Sequence, residues 1–265
     1  AAKGRKKISV LTAYDYPTAH LVDAGGADIV LVGDSLGMVV LGRKDTLGVT
    51  LDEMIYHTRA VVPAVNNALV VADMPFMTYE PGVAEALANA GRLVRESGAR
   101  AVKLEGGRLI APQVKALVDA GIAVMGHIGL TPQRAAVLGG FVVQGKTAAQ
   151  AEELLKDAKA LQEAGCFSIV VEAVPAPVAK KITESIEIPT IGIGAGPHCD
   201  GQVLVLHDML GLNPGHVPRF VKKYAQLAKA GEEAVREYIR EVHSGEFPGK
   251  EHSFSMSEEE LARLK

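Results

Sequence analysis

The chain repeats one local pattern eight times. A short run of apolar, often β-branched residues gives way to a polar or glycine-rich break and then to a stretch with helical spacing. The runs are residues 8–12, 27–33, 68–73, 101–105, 122–127, 168–172, 189–194 and 203–207. Between them, residues 109–121 place Ile110, Val114, Leu117 and Val118 on one helical face, with Gly121 as a stop signal. Residues 147–165 do the same with Leu154, Leu155, Ala158 and Leu161. Strands alternating with helices imply a parallel sheet. Eight such units in 265 residues match the size of a (β/α)8 TIM barrel, with an open doubly wound sheet as the competing arrangement. No linker or compositional shift divides the chain. Residues 1–265 therefore read as one barrel domain with a mostly helical tail over about 213–265, in which Ser257 and Glu260 have capping-box spacing.

The last residues of these runs carry the chemistry. The second run leads into Asp34 and Ser35, the third ends in Asp73, the fourth in Lys103 and Glu105, the fifth in His127 and the sixth in Glu172. Side chains alternate along a strand, so Lys103 and Glu105 share a face with Ala101. The same alternation pairs Asp34 with Val32, Asp73 with Val71, His127 with Met125 and Glu172 with Val170. In a barrel that face is the interior, and active sites sit at the C-terminal mouth. A lone charge there could be a cap or loop residue, and burying it unpaired is costly. Six ionisable groups ending five successive strands point to one shared polar site.

Composition excludes several classes. Net charge is −3, with no basic bias of the kind that binds nucleic acid or an anionic membrane. No apolar stretch approaches the ~20 residues of a membrane span. The cluster Lys3, Arg5, Lys6 and Lys7 reads as a solvated terminus. The only cysteines, Cys166 and Cys199, suggest free thiols in a reducing compartment and hence a cytoplasmic protein. Neither C-x-x-C nor H-E-x-x-H occurs, so there is no zinc signature. Residues 192–201, GIGAGPHCDG, look like a dinucleotide fingerprint, but Pro197, His198 and Asp200 fall where its helix should begin. A tight loop after the seventh run is expected instead, with phosphate binding there left open. His57 and His207 read as core or surface histidines, and Tyr14–Asp15 as a cap for the following segment.

Asp34, Asp73 and Glu105 offer only carboxylate oxygens, a donor set that suits Mg²⁺ or a similar hard ion better than zinc. Lys103 suits the carboxylate of an acidic substrate. Glu172, from a distant strand and ending an apolar run, suits a general base. A metal chelated by a 2-oxo acid would stabilise an enolate, which describes carbon–carbon bond chemistry next to a carbonyl.

Nine segments in order, VLTAYDYPTA, LVGDSLGMVVLG, VTLDEM, VVADMPF, AVKLEGG, VMGHIGLTPQ, GGFVVQGKT, IPTIGIGAG and DGQVLVLHDMLGL, closely resemble the ketopantoate hydroxymethyltransferase family. The likeness runs from about residue 8 to residue 212, and the stretch before it is short for the family. The resemblance implies a (β/α)8 barrel of the phosphoenolpyruvate/pyruvate superfamily. It implies transfer of a one-carbon unit from the co-substrate 5,10-methylenetetrahydrofolate to 3-methyl-2-oxobutanoate, giving ketopantoate for pantothenate and coenzyme A synthesis. Residue by residue, it implies Mg²⁺ at Asp34, Asp73 and Glu105. It also implies oxo acid contacts from Asp34, Ser35, Asp73 and Lys103, a proton acceptor at Glu172, and His127 lining the pocket. A homo-oligomer, often a decamer, is implied as well. Two alternatives remain: another Mg²⁺-dependent lyase of 2-oxo or phospho-acids in the same superfamily, and a non-catalytic binding protein. A lyase of the isocitrate type would want a nucleophilic cysteine, and neither Cys166 nor Cys199 ends a run of the cluster. A binding protein would not need a base such as Glu172.

Overall fold

The computed structural model describes residues 3–4, 6–215 and 217–264; of the N-terminal basic cluster, Arg5 lies outside the described residues. Eight parallel strands close into a barrel in sequence order, with the first pairing the last. They are β1 (Ile8–Thr12), β2 (Ile29–Val32), β3 (Leu69–Asp73), β4 (Ala101–Glu105), β5 (Ala123–Gly129), β6 (Ser168–Glu172), β7 (Thr190–Ile193) and β8 (Gly201–Leu204). Helices α1 (Tyr16–Ala24), α2 (Leu36–Val39), α3 (Leu51–Val61), α4 (Val83–Ser97), α5 (Ala111–Asp119), α6 (Ala135–Leu138), α7 (Ala148–Glu163) and α8 (Ala176–Ser185) connect the first seven. After β8 come α9 (Leu206–Met209), α10 (Leu227–Ser244) and α11 (Glu258–Leu261).

The local signals behave as their chemistry requires. Asp15 caps α1 by accepting the Thr18 N–H, and Thr147 with Gln150 forms a capping box on α7. Ile110, Val114 and Leu117 are buried beside α5, as are Leu154, Ala158 and Leu161 on α7. Ser257 accepts the Glu260 N–H at the start of α11.

Three expectations are corrected. The eighth strand starts earlier, at Gly201, and ends at Leu204, so His207 sits on α9. No helix joins β7 to β8; the seven intervening residues include Gly194 and Gly196 at positive φ and form a loop, which removes the dinucleotide reading. The N-terminal lysines are anchored and not merely solvated. Lys3 Nζ donates to Thr183 O at 2.6 Å and Ile188 O at 3.2 Å, and Lys7 Nζ donates to Cys199 O at 2.5 Å.

Two apolar shells result from strand alternation. Val30, Val32, Val102, Leu104, Ile169 and Val171 pack outward against the helices. Ile29, Leu31, Val71, Ala101, Met125 and Val170 fill the barrel interior with residues of β1, β7 and β8. The interior plug occupies the lower part of the barrel, so the next inward positions toward the strand C-termini form a layer of their own: Asp73, Lys103, Glu105 and His127, all buried. The strand register sets them side by side, Asp73 opposite Lys103 and Glu105 opposite His127.

At the barrel's other end, Asp23 closes the entry to β3. Its carboxylate accepts backbone N–H groups from Asn66 (3.0 Å), Asn67 (3.0 Å) and Ala68 (2.9 Å). These bonds, from Asn66 and Ala68 first, lower its pKa below the ordinary aspartate value. A depressed carboxylate stabilises the fold above its unfolded-state pKa of ~3.9, and the contribution is lost as pH falls through the folded value. Asp23→Asn is expected to cost about 1–3 kcal/mol at pH 7. Urea unfolding should show that gap narrowing as pH drops below about 4, where the wild-type carboxyl takes up a proton and resembles the amide. A gap that is the same at pH 7 and pH 3 would refute this role.

Candidate active site

Five of the six ionisable groups form a continuous chain across the mouth. Lys103 Nζ lies 2.8 Å from Asp73 Oδ1 and 3.7 Å from Glu105 Oε1. Glu105 Oε1 is 3.3 Å from His127 Nδ1, and His127 Nε2 is 3.2 Å from Glu172 Oε2, an ion-pair contact off the hydrogen-bond line. Glu172 is the most open of the chain, with its side chain 15% exposed.

Asp34 completes the cluster, but by a route that alternation does not describe. Val32 faces the helices, so simple continuation of β2 would carry Asp34 outward as well. The strand ends at Val32, and the turn through Gly33 redirects the chain. There the Asp34 N–H donates to Asp73 Oδ2 at 3.0 Å, and Gln133 Nε2 donates to Asp34 Oδ2 at 2.9 Å. A Cβ on Gly33 would stand 2.7 Å from Ser35 Oγ, so a larger residue there would displace the Ser35 hydroxyl. At the far side of the site, a Cβ on Gly129 would stand 2.3 Å from the Glu172 carbonyl oxygen, so β5 and β6 close together only around glycine. Ser35, the other predicted contact, is half-buried, and its Oγ lies 2.8 Å from Tyr14 OH.

The electrostatics follow from burial. Burial alone would lower the Lys103 pKa, but Asp73, Glu105 and Asp34 outweigh it and raise it, so Lys103 stays an ammonium. Burial and Lys103 likewise push the His127 imidazole down. Glu105 and Glu172 overcome them and lift it to about 9, leaving it protonated at neutral pH. Glu105 is held low against its burial by His127, Lys103 and the Gln133 N–H. Asp34 goes the other way: burial, Asp73 and Glu105 push it well above the usual carboxylate range. A further cation beside Asp34 would favour its charged form.

That imbalance is the test of a metal. Four carboxylates (Asp34, Asp73, Glu105, Glu172) face two cations (Lys103, His127), an excess of two negative charges when all are ionised. Asp73 Oδ1 is buried and meets Lys103 only as an ion pair, with no hydrogen-bond partner among the described residues. Among the described residues no three His, Cys, Asp or Glu side chains converge into a metal cage. This donor set fits an ion that uses one or two carboxylates and takes its remaining oxygens from water and substrate, as Mg²⁺ does. Glu105 is the least available of the three predicted ligands, because its Oε2 accepts the Gln133 N–H at 3.1 Å and its Oε1 faces His127 and Lys103.

Sequence reading missed Gln133 and Tyr79. Tyr79 is buried, with its hydroxyl 2.6 Å from Gln133 Oε1. Neither residue ends a strand, and an uncharged side chain in a loop gives no signal until the fold brings it to the carboxylates. The cysteines lie outside the site. Both are buried, and burial raises the Cys166 thiol to about 12 and Cys199 above its ordinary value, which is unsuited to a thiolate nucleophile.

A closed (β/α)8 barrel with acidic, basic and imidazole side chains meeting at its C-terminal mouth has the layout of a barrel enzyme. Residues 1–250 match the family model described as ketopantoate hydroxymethyltransferase. The chain is 65% identical over 257 residues to the 3-methyl-2-oxobutanoate hydroxymethyltransferase of Nitratidesulfovibrio vulgaris, covering 97% of this chain and 84% of that one. It is 62% identical over 263 residues to the enzyme of the same name from Oleidesulfovibrio alaskensis, covering 99% and 91%. It belongs to the ketopantoate hydroxymethyltransferase family. Among solved structures, a phosphonopyruvate hydrolase complexed with oxalate and Mg²⁺ superposes with a TM-score of 0.60 at 14% identity, over 97% of this chain and 89% of that one. A 2,3-dimethylmalate lyase of the PEP mutase/isocitrate lyase superfamily gives 0.60 at 16%, over 99% and 91%. At that identity the likeness is one of fold.

Among the described residues, Lys103 carries the only ammonium touching these carboxylates, and Lys103→Met removes it. Breaking a buried ion pair by removing one partner typically costs about 3–5 kcal/mol. Without added divalent cation, the variant should be destabilised by that order at pH 8 and by less at pH 5, where the carboxylates take up protons. Unfolding curves that match wild type at pH 8 would contradict the charge arrangement.

Proposed function

We propose that this protein transfers a hydroxymethyl group from 5,10-methylenetetrahydrofolate to 3-methyl-2-oxobutanoate, forming ketopantoate on the route to pantothenate and coenzyme A. Family membership and the names of relatives above 60% identity support the reaction. The observation that carries the chemistry is the chain of side chains from Asp73 through Lys103, Glu105 and His127 to Glu172. This chain supports a reading in which Lys103 acts as a fixed cation and Glu172 as a carboxylate base of one site.

Lys103, an ammonium under these conditions, binds the substrate carboxylate and forms no imine. Ser35 and the imidazolium of His127 line the same pocket. Asp34 and Asp73 would hold Mg²⁺, with Glu105 beside them; the bound oxalate and Mg²⁺ of the phosphonopyruvate hydrolase support this choice of ion on the same fold. Mg²⁺ supplies a Lewis acid that draws charge from the keto group. Glu172 takes the proton from C3 as the C3–H bond breaks, and the electron pair left on C3 forms the new bond to the one-carbon unit; both bonds of that unit to the folate nitrogens break, water supplies its hydroxyl oxygen, and tetrahydrofolate leaves with its two nitrogens carrying the protons from C3 and from water. His127, in contact with Glu172 on one edge and Glu105 on the other, keeps that carboxylate aimed into the mouth.

The protein acts on small molecules, without nucleic acid, and no helix among the described residues is long and apolar enough to cross a membrane. We place it in the cytoplasm, where its free thiols stay reduced. We also infer a homo-oligomer of up to ten chains. Its support is α10, on which Val235, Tyr238, Ile239 and Val242 are exposed; a monomer in sedimentation velocity would remove this part.

Turnover of 3-methyl-2-oxobutanoate with methylenetetrahydrofolate and Mg²⁺ tests the reading as a whole; its absence under all metal conditions would refute it. Glu172→Gln should still bind Mg²⁺ and the oxo acid. It should lose exchange of the C3 hydrogen with deuterated solvent by about 10²–10⁴-fold, with or without folate. NMR reads that exchange directly, and a wild-type rate in the variant would exclude Glu172 as the base.

A further inference from the structure

Gln133 ends the segment VMGHIGLTPQ and sits in the turn between β5 and α6, only 3% exposed. Every polar atom of its side chain is engaged. Nε2 donates to Asp34 Oδ2 at 2.9 Å and to Met74 O at 3.0 Å, and Oε1 accepts the Tyr79 hydroxyl at 2.6 Å. Its backbone N–H donates to Glu105 Oε2 at 3.1 Å. One residue outside the charged chain thus grips carboxylates from the turn after β2 and the end of β4.

We propose that Gln133 is a positioning residue of the 2-oxo acid and Mg²⁺ site, its amide holding Asp34 in one orientation and its backbone tying that orientation to Glu105. The inference rests on the function proposed above and adds a residue to it.

The polarity of the amide is forced. Met74 offers a carbonyl, which can only accept. Tyr79 receives the Glu105 N–H at 3.2 Å, and its one proton has two acceptors, Gln133 Oε1 at 2.6 Å and the Glu105 carbonyl at 3.1 Å, of which Gln133 Oε1 is the nearer. Flipping the amide would set its oxygen against the Met74 carbonyl oxygen. Held this way, it occupies Asp34 Oδ2 with a neutral donor. The Asp34 N–H, bonded to Asp73 Oδ2, then fixes the two carboxylates relative to each other. Glutamate at position 133 would add a fifth negative group to the cluster, and a shorter amide would not span from Tyr79 to Asp34.

Partners that orient metal-binding side chains typically change affinity by about 10–100-fold when removed. Calorimetric titration of Mg²⁺ into the full chain, with 3-methyl-2-oxobutanoate saturating, should show Gln133→Met weakened by that factor. Tyr79→Phe should be weakened in the same direction but less. In turnover, the KM for Mg²⁺ should rise while the KM for methylenetetrahydrofolate holds, a split that general loosening of the loop would not produce. Circular dichroism checks that each variant is folded; if Gln133→Met is not, Tyr79→Phe decides alone. Wild-type Mg²⁺ affinity in the folded variants overturns the inference while leaving the proposed function standing. A wild-type protein that binds no Mg²⁺ with the oxo acid overturns the proposed metal site itself, and this inference with it.

Discussion

The Lys103 ammonium, buried and 2.8 Å from Asp73, is the charge around which the barrel mouth is arranged. An isolated ammonium at this depth would shed its proton, and isolated carboxylates would take one up. Lys103, Glu105 and His127 are held ionised by their neighbours, whereas burial still raises Asp73 and Asp34; the strand register sets Asp73 against Lys103 and Glu105 against His127 on neighbouring strands. The apolar plug beneath them, from Leu31 and Val71 to Met125 and Val170, limits solvent from below and keeps these interactions strong. The acidic excess that remains would favour one more cation.

Much of this was legible in the sequence, because a parallel strand of a barrel writes both of its faces into alternate residues. Val102 and Leu104 pack outward while Ala101, Lys103 and Glu105 point inward, which explains a strand that carries two opposite charges and still lies in the core. The same rule misplaces Asp34. Its direction is set by a turn through Gly33, and strand periodicity carries no information beyond the last ladder hydrogen bond at Val32. The β8 boundary slipped for a related reason. Gly201 and Gln202 do not look like strand residues, yet they pair with Ile8 and Ser9 because the barrel must close. Gln133 and Tyr79 were invisible in sequence, since their function lies in spatial contacts with residues 26 to 99 positions away.

The division of labour between strands and loops has a physical basis. Groups that must keep their charge at depth (Asp73, Lys103, Glu105, His127) sit on strands whose backbones are fixed by ladder bonds on both sides. Asp34, Ser35 and Gln133 come from turns and are fixed instead by side-chain hydrogen bonds to Asp73, Tyr14 and Tyr79. The buried thiols of Cys166 and Cys199 take no part, which separates this site from lyase chemistry that relies on a cysteine.

The central claim is that the acidic side of this mouth is a divalent-cation site shared with a 2-oxo acid. Anomalous scattering from a crystal grown with Mn²⁺ and 3-methyl-2-oxobutanoate tests it most directly. The account predicts one strong peak at the barrel mouth against the carboxylates of Asp34 and Asp73, with oxo acid density beside it on the Lys103 side. A mouth without a peak, or a peak only on the acidic surface of the C-terminal helices, would contradict it.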